Sequence, residues 1–379
     1  MNGKQLCVTK IGGSLLKDSK SYLYSAQKIK EIFIENGYKT IIVVSAAKGI
    51  TDKLIEVAKG SQNALNYVNE KYLEIARELN SVKIIRRVEE ELKRLKTVAN
   101  AIGGGGVDLS IYDLLLSFGE RISKILMVGA LESIGVNALE LHANDLIVTN
   151  ENFSDASIDY ISTSANLEKL YSSIIDNPAI PVVEGFIGAT MDGRITTLGR
   201  GGSDYTATAI ASLLNIDRVY LVTDVDGIMT TDPDTIKTAK LVKVMSYRES
   251  LEAALHGAKR INPKAFEPLE KFYSSKLVIG SWSRFGTEIV KEIPRELWGP
   301  KVVMNRSTQN MPYIAIVGEG TSTTRFIRRV LEVIDENGMD VLGVQSYIYR
   351  PSLLIYVSPT YEFKLLSLLH RELFEGDER

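Results

Sequence analysis

Residues 10–14 (KIGGS) combine a lysine with two glycines at the point where an apolar run ends. Glycine lets the backbone approach an anion closely and turn N–H groups toward it, while the lysine supplies a positive charge. An ordinary β-turn accounts for the Gly-Gly pair equally well. The P-loop sequence GxxxxGK[ST] does not occur in the chain. The segment therefore indicates either an anion site or a turn.

Residues 196–204 (TTLGRGGSD) surround one arginine with glycines immediately before an apolar, helix-like run. Ser203 or Asp204 is a suitable N-cap for that helix, but capping does not require Arg200. Arginine holds a planar carboxylate or phosphate through two parallel hydrogen bonds, and the neighbouring Asp204 offers an opposite charge to an ammonium group. The pattern favours a binding site over a plain helix start.

Residues 220–227 (YLVTDVDG) form a β-rich run that ends in two aspartates and a glycine. Strand ends in open α/β sheets face ligand crevices, whereas an Asp-Gly turn is the structural alternative. Residues 45–51 (SAAKGIT) follow another strand-like run and would add hydroxyl and N–H groups to the same crevice. Glu120 and Arg121 lie within a predicted helix and point to different faces, as on an ordinary solvated helix.

The chain offers no obvious protein metal site. Its histidines, His142, His256 and His370, lie far apart and lack the spacing of zinc ligands or of a Ser-His triad. A catalytic metal would therefore be Mg²⁺ held largely by phosphates, which suits the sparse protein ligation of that ion. Residues 257–260 (GAKR) end a predicted helix, where cations are favoured by the helix dipole in any case.

Length and composition limit the class of protein. At 379 residues the chain exceeds what one core usually supports, at roughly 100–200 residues per domain. Lys and Arg (45) nearly balance Asp and Glu (47), so no global field attracts nucleic acid or a membrane surface. The single cysteine, Cys7, lies in an apolar run, which excludes a disulfide framework. No run reaches the ~20 apolar residues of a membrane helix, and we expect a cytoplasmic protein.

Strand-like and helix-like segments alternate over most of the chain, which predicts an α/β fold with a largely parallel sheet. The predicted strands cover residues 6–11, 40–45, 138–141, 180–184, 218–223 and 276–279. The predicted helices cover residues 25–36, 52–100, 109–134, 204–214 and 247–257.

The pattern weakens over residues 284–310, which contain several Gly and Pro residues, and a second unit follows. Its predicted strands (313–317, 341–349 and 352–357) and helices (323–337 and 362–373) suit a ferredoxin-like α+β module. We therefore expect one domain over residues 1–292, a linker over 293–310 and a second domain over 311–379.

Seven segments in order resemble the aspartate kinases of the amino acid kinase family, and the resemblance covers nearly the whole chain. They are KIGGS (10–14), VVSAAKGIT (43–51), SFGER (117–121), PVVEGFIG (181–188), TTLGRGGSD (196–204), VTDVDGIMTTDP (222–233) and MSYRESLEAALHGAK (245–259).

The resemblance implies a three-layer αβα kinase fold that binds ATP, Mg²⁺ and L-aspartate above the carboxyl ends of its strands. It implies catalytic roles for Lys10, Arg200 and Asp204. The implied aspartate-binding residues are Ser45, Thr51, Glu120, Arg200, Gly201, Gly202 and Ser203. The implied nucleotide-binding residues are Lys10, Ile11, Gly12, Gly13, Thr223, Asp224, Met229, Asp234, Lys259 and Arg260.

The implied reaction is attack of the substrate's side-chain carboxylate on the γ-phosphorus of ATP, which yields 4-phospho-L-aspartate, the first step toward lysine, threonine and methionine. Such a transfer needs alignment and charge stabilisation rather than a covalent protein intermediate. The carboxylate is ionised at neutral pH and needs no general base.

Several positions depart from the family pattern. Relatives usually carry Tyr where Met229 stands and Arg where Asp234 stands, and their GAKVLHPR appears here as GAKRINPK (257–264). The tail resembles one regulatory ACT module where relatives generally carry two, and we expect it to serve dimerisation or to bind an amino acid effector. Two alternatives stay open: the same fold with another small carboxylate acceptor, or a non-catalytic amino-acid-sensing subunit.

Overall fold

The computed structural model describes residues 5–102, 108–258, 262–273, 275–308 and 311–375. The strands of these residues are β1 (Gln5–Ile11), β2 (Tyr38–Val44), β3 (Ala138–Glu140), β4 (Ile180–Glu184), β5 (Ile187–Ala189), β6 (Ile195–Thr197), β7 (Arg218–Val222), β8 (Val244–Ser246), β9 (Lys276–Gly280), β10 (Thr287–Val290), β11 (Val302–Thr308), β12 (Met311–Val317), β13 (Gly343–Ser346) and β14 (Ser352–Tyr356).

The α-helices of the same residues are α1 (Ser19–Ile29), α2 (Ile50–Ala58), α3 (Gln62–Glu78), α4 (Val82–Ala101), α5 (Leu109–Ser133), α6 (Ala143–Leu146), α7 (Tyr160–Ile175), α8 (Gly202–Leu213), α9 (Tyr247–Leu255), α10 (Glu267–Lys271), α11 (Thr324–Glu336) and α12 (Glu362–His370). None of them is long and apolar enough to cross a membrane.

The chain divides into two compact units. The first comprises residues 1–224 and 267–275, and the second comprises residues 225–266 and 276–379.

The first unit is built on parallel strands in the order β3-β4-β2-β1-β7. Helix α8 packs on β1 and β7, while α5 packs on β2, β3 and β4. Covering both faces explains why the strands read as nearly continuous apolar runs rather than as alternating ones. The predicted three-layer α/β fold with a largely parallel sheet is confirmed.

In the second unit, β10 pairs antiparallel with β9 and parallel with β8. A separate antiparallel sheet has the order β11-β12-β14-β13. Its core combines apolar residues of these strands with Val330 and Ile334 of α11 and leucines of α12. This arrangement confirms the predicted α+β module with helices on a β-sheet.

Strand β11 lies inside the segment 293–310 that the sequence assigned to a linker. It pairs with β12 from Val302 opposite Val317 to Thr308 opposite Met311. The short apolar run before Asn305 gives too little alternation to identify a strand, and pairing with β12 supplies the missing constraint. The division at residues 292 and 311 stays a prediction.

Several element boundaries were wrong. Helix α1 begins at Ser19, not near residue 25, because Asp18 accepts a hydrogen bond from the Ser21 N–H and the Ser21 hydroxyl accepts one from the Asp18 N–H. Strand β13 ends at Ser346, before a turn in which Arg350 N–H donates to Tyr347 O. Helix α7 and the β5–β6 hairpin were missed because their apolar periodicity is weak.

Replacing Ile316 with Ala should destabilise the second unit by about 2–5 kcal/mol, because the side chain is completely buried between the strands and helices of its core. Val344 on β13 is partly exposed, and its replacement with Ala should change the unfolding free energy by about 0.5 kcal/mol or less. Urea unfolding of both variants checks this, and equal losses would contradict the core assignment.

Candidate active site

The carboxyl end of β1 brings the KIGGS segment against the end of β2. Gly13 approaches the carbonyl oxygen of Ala46 so closely that a Cβ atom would lie 2.7 Å from it. Gly12 N–H donates to Val222 O at 3.0 Å, and Ser45 N–H donates to Ile11 O at 3.3 Å. The ends of β1, β2 and β7 are thereby joined, and a side chain at residue 13 would separate two of them.

Lys10 lies on β1, opposite Val43 of β2 and Leu221 of β7. Its Nζ is 2.7 Å from Oδ1 of Asp204, with both side chains less than one fifth exposed. Asp204 sits in the first turn of α8, which begins after Gly201 in the left-handed conformation (φ 72°). The structure therefore joins two of the predicted catalytic residues in an ion pair at a helix N-terminus.

Glu120 of α5 is 3% exposed and accepts a hydrogen bond from Ala46 N–H through Oε1 at 3.1 Å. Its Oε2 is buried and has no hydrogen-bond partner among the described residues. Burial raises the pKa of Glu120 to about 8; the nearby charge of Glu184 adds to the rise, while Ala46 N–H and Lys10 oppose it. A cationic group that reached Oε2 would pair with this carboxylate.

A buried ion pair lies one helical turn further along α5. Lys124 Nζ is 2.7 Å from Glu184 Oε1, and both residues are 2% exposed. Burial by itself would raise the pKa of Glu184, but the charge of the Lys124 ammonium, the nearby His142 ring, and hydrogen bonds from Lys124 and Ala143 N–H lower it to about 2. Glu184 is therefore ionised across the neutral range.

Asp113 of α5 positions the loop that carries Arg200, although the sequence gave no reason to select it. This buried carboxylate accepts hydrogen bonds from Thr197 N–H (2.7 Å), the Thr197 hydroxyl (2.8 Å) and Ser154 N–H (2.8 Å). The one available signal was an acidic residue inside an apolar helical stretch, IYDLLL. Such a residue must find buried partners.

A cavity of about 570 Å³ in the first unit collects all seven predicted aspartate-binding residues: Ser45, Thr51, Glu120, Arg200, Gly201, Gly202 and Ser203. Lys10 and Gly13, predicted for the nucleotide, line it as well. The sequence analysis missed Tyr112, Leu116 and Phe186 in the same lining. Phe186 has φ 71°, a costly conformation for a non-glycine residue and one that is often found at functional sites.

The residues predicted for the nucleotide are distributed differently. Thr223 follows β7, and its hydroxyl donates to Asp224 Oδ1 at 3.0 Å. Met229 and Asp234 line a smaller cavity of about 150 Å³ within the second unit. Its other lining residues are mostly apolar: Val225, Gly227, Ile228, Thr231, Asp232, Pro233, Ala258 and Met304. Lys259 and Arg260 lie outside the described residues.

The arrangement in the first unit suits a small molecule with charges of both signs. Glu120 offers a negative charge, Arg200 a planar cation and Lys10 an ammonium beside the start of α8, whose N–H groups favour an anion. Across residues 5–375, leaving out the gaps named above, no three His, Cys, Asp or Glu side chains form a group that could hold a metal ion. The lining therefore suits the binding of a small ligand that carries both an ammonium group and carboxylates.

Comparison with known sequences adds independent findings. Residues 5–281 match the amino acid kinase family. The lysine-sensitive aspartokinase 3 of Escherichia coli is 33% identical over 269 residues, which are 70% of this chain and 59% of that protein. Aspartokinase 1 of Bacillus subtilis is 34% identical over 269 residues, covering 69% and 55% respectively. The chain thus spans little more than half the length of these relatives.

Solved structures show the same likeness. A crystal structure of E. coli aspartokinase III in complex with aspartate and ADP has a TM-score of 0.73 at 26% identity, covering 97% of this chain and 83% of that one. Aspartate kinase from Clostridium acetobutylicum has a TM-score of 0.77 at 18% identity, covering 98% and 100%, and this likeness supports the fold alone.

Replacing Gly13 with Ala should cost about 1–3 kcal/mol of stability, because the new methyl group would overlap the Ala46 carbonyl and force the two strand ends apart. Gly343→Ala is the matched control, since nothing lies within 4 Å of its Cβ position, and should change stability by about 0.5 kcal/mol or less. Chemical denaturation compares them; a neutral Gly13→Ala would refute the close approach.

Proposed function

The chain belongs to the amino acid kinase family, and we propose that it transfers the γ-phosphoryl group of ATP to the side-chain carboxylate of L-aspartate. The observation that carries the proposal is the cavity that brings Lys10, Glu120 and Arg200 to the carboxyl ends of parallel strands. The complex of E. coli aspartokinase III with aspartate and ADP supports the choice of ligands. L-Aspartate carries one ammonium group and two carboxylates, which match the charges of this lining.

Each charge of the substrate has a proposed partner. Glu120 accepts hydrogen bonds from the α-ammonium group through its buried, unpartnered Oε2. Arg200 binds the α-carboxylate, because a guanidinium fork matches carboxylate geometry. Ser45, Thr51 and Ser203 supply hydroxyl groups to the same lining. These contacts leave the side-chain carboxylate as the group directed toward Lys10.

The reaction that follows is a direct transfer. A side-chain carboxylate oxygen forms a bond to the γ-phosphorus while the bond from that phosphorus to the bridging oxygen of ADP breaks, so that ADP leaves and an acyl phosphate forms. Lys10 and the N–H groups near Gly12 and Gly13 stabilise the charge on the transferring group. Asp204, 2.7 Å from Lys10 in the described state, keeps the lysine at the end of β1.

The nucleotide is the second proposed ligand. Thr223 and Asp224 at the end of β7 are proposed contacts within the first unit. In the second unit, the apolar lining around Met229 suits a purine ring, and Asp234 stands at the same cavity. The donor set also fits Mg²⁺, since an ion bound mainly by phosphate oxygens needs no cluster of protein carboxylates. When bound, the ion neutralises charge on the phosphates.

The C-terminal module is proposed to hold protomers together or to bind an amino acid effector. Strand β13 forms one edge of its sheet, and Tyr347, Ile348 and Tyr349 beyond it are exposed. An edge strand with exposed apolar neighbours favours pairing with another chain. Dimerisation about a two-fold axis is the arrangement we expect.

The purified protein should form an acyl phosphate from L-aspartate and Mg-ATP, which hydroxylamine traps as a hydroxamate. Arg200→Ala should lower kcat/KM for L-aspartate by roughly 10–100-fold, as expected for losing hydrogen bonds between charged groups. Arg194→Ala is the control, because Arg194 is exposed and pairs with Asp192 and Glu151. A folded parent that is inactive with aspartate but active with another small acid would correct the acceptor; inactivity with every acid would favour a sensing subunit.

The KM for L-aspartate should fall as pH rises from 6 to 8. Because burial raises the pKa of Glu120 to about 8, the carboxylate is largely protonated at pH 6, and binding the ammonium group requires loss of that proton. The expected slope is up to about tenfold per pH unit below the pKa, with a plateau above it. Steady-state kinetics across this range checks it, and Glu120→Gln should bind weakly without that slope.

A further inference from the structure

Helix α5 places Glu120 and Lys124 four residues apart, with the acid nearer the N-terminus. This order and spacing bring side chains onto the same face of a helix and are the favourable arrangement for an ion pair. Both residues are buried, where an ion pair is screened least. A Lys124–Glu120 pair is therefore the arrangement that local geometry alone predicts.

The described structure has a different arrangement. Lys124 Nζ lies 2.7 Å from Glu184 Oε1, 3.0 Å from Leu141 O and 2.9 Å from His142 Nδ1. An ammonium group has three donors, and these three partners account for all of them. Glu120 Oε2 keeps no hydrogen-bond partner among the described residues.

The position of the Glu184 carboxylate is fixed by its strand and by a hydrogen bond. It is the last residue of β4 and lies opposite Val44 of β2. Two residues after Val44, Ala46 donates its N–H to Glu120. Its second oxygen accepts a hydrogen bond from Ala143 N–H at 2.9 Å, and it stays ionised at neutral pH. The carboxylate thus competes with Glu120 for the same ammonium group from a fixed position.

We infer that Glu184 is a positioning residue: it holds Lys124 away from Glu120, so that Glu120 stays open to the ammonium group of the amino acid substrate. The inference rests on the proposed function for the identity of that ammonium group. Without Glu184, the Lys124 ammonium would take the place of the substrate's own and compete with it.

Other charged or titratable groups near these residues do not replace Glu184. Lys10 on β1 is paired with Asp204, and the phenols of Tyr22 on α1 and Tyr72 on α3 stay neutral because burial raises the pKa of each. Glu140 on β3 lies 4.0 Å from Lys124 but is bound by Arg87. His142 contacts both members of the pair, with Nδ1 3.7 Å from Glu184.

The test is a double-mutant comparison in the full chain. Glu184→Gln should raise the KM for L-aspartate at pH 8 at least tenfold with kcat nearly unchanged, because the Lys124 ammonium group then pairs with the Glu120 carboxylate. Glu184→Gln combined with Lys124→Met should return the KM to within threefold of the parent, since the competing ammonium is gone. Glu140→Gln is the matched control and should leave the KM within threefold.

The double variant separates this inference from a direct role of Glu184 in substrate binding. If Glu184 bound the substrate itself, the double variant would be at least as impaired as Glu184→Gln, and that result would overturn the inference. A merely structural role would lower kcat in Glu184→Gln as well as raise the KM, and that result would also contradict the inference. Should Glu184→Gln fail to fold, the double variant still tests whether Glu184 itself contacts the substrate, because removing both charges together leaves no unpaired buried ion. A near-parental KM supports the inference, and an impaired one refutes it.

A second measurement needs no substrate and so remains valid if aspartate is not the acceptor. In the parent, Glu120 keeps a proton that the unfolded chain loses above about pH 4.5, so its contribution to stability falls as pH rises toward 8. In Glu184→Gln a Lys124–Glu120 pair would remove that loss. The melting temperature is measured at pH 5 and pH 8 for the parent and for Glu184→Gln, each with and without Glu120→Gln. The loss of stability that depends on Glu120 should appear in the parent only. The same loss in the Glu184→Gln background would refute the movement of Lys124.

Discussion

Parallel pairing of β1 with β2 and β7 is the constraint from which the proposed site follows. Parallel strands present their carboxyl ends at one edge, so the KIGGS segment, the loop after β2 and the end of β7 meet at that edge. The meeting is close enough that the backbone at Gly13 packs on the Ala46 carbonyl. Backbone contacts therefore hold these loops together at the strand ends.

Buried charge is the second organising feature of the first unit. Removing an ion from water is costly unless it is paired, and the Lys124–Glu184 pair meets this requirement with every donor of the ammonium group used. Glu120 does not meet it, and its raised pKa expresses that cost. An incompletely paired carboxylate beside a fully paired one is the kind of local imbalance that a ligand's charge can correct.

The second unit combines elements that the sequence assigned to different domains. Glu252 of α9 accepts a hydrogen bond from the Ser352 hydroxyl at 2.6 Å, and His256, just after α9, contacts the Tyr313 hydroxyl at 3.1 Å. These buried contacts join the segment before Lys259 to β12 and β14 of the C-terminal sheet. They give that sheet a direct physical connection to a segment of the predicted kinase domain.

The sequence by itself determined the type of fold, the positions of most strands along the chain and the identity of the glycine loops, because periodicity and glycine content are local properties. It also selected Lys10, Glu120 and Arg200 through the resemblance of their motifs. Only the tertiary structure decided how the buried charges pair: Lys124 and Glu184 are 60 positions apart, and nothing local indicates that Lys124 would choose Glu184 over Glu120. Partner choice among buried ions depends on desolvation and on competing hydrogen bonds from segments that are distant in sequence. Those segments come together only once the chain has folded.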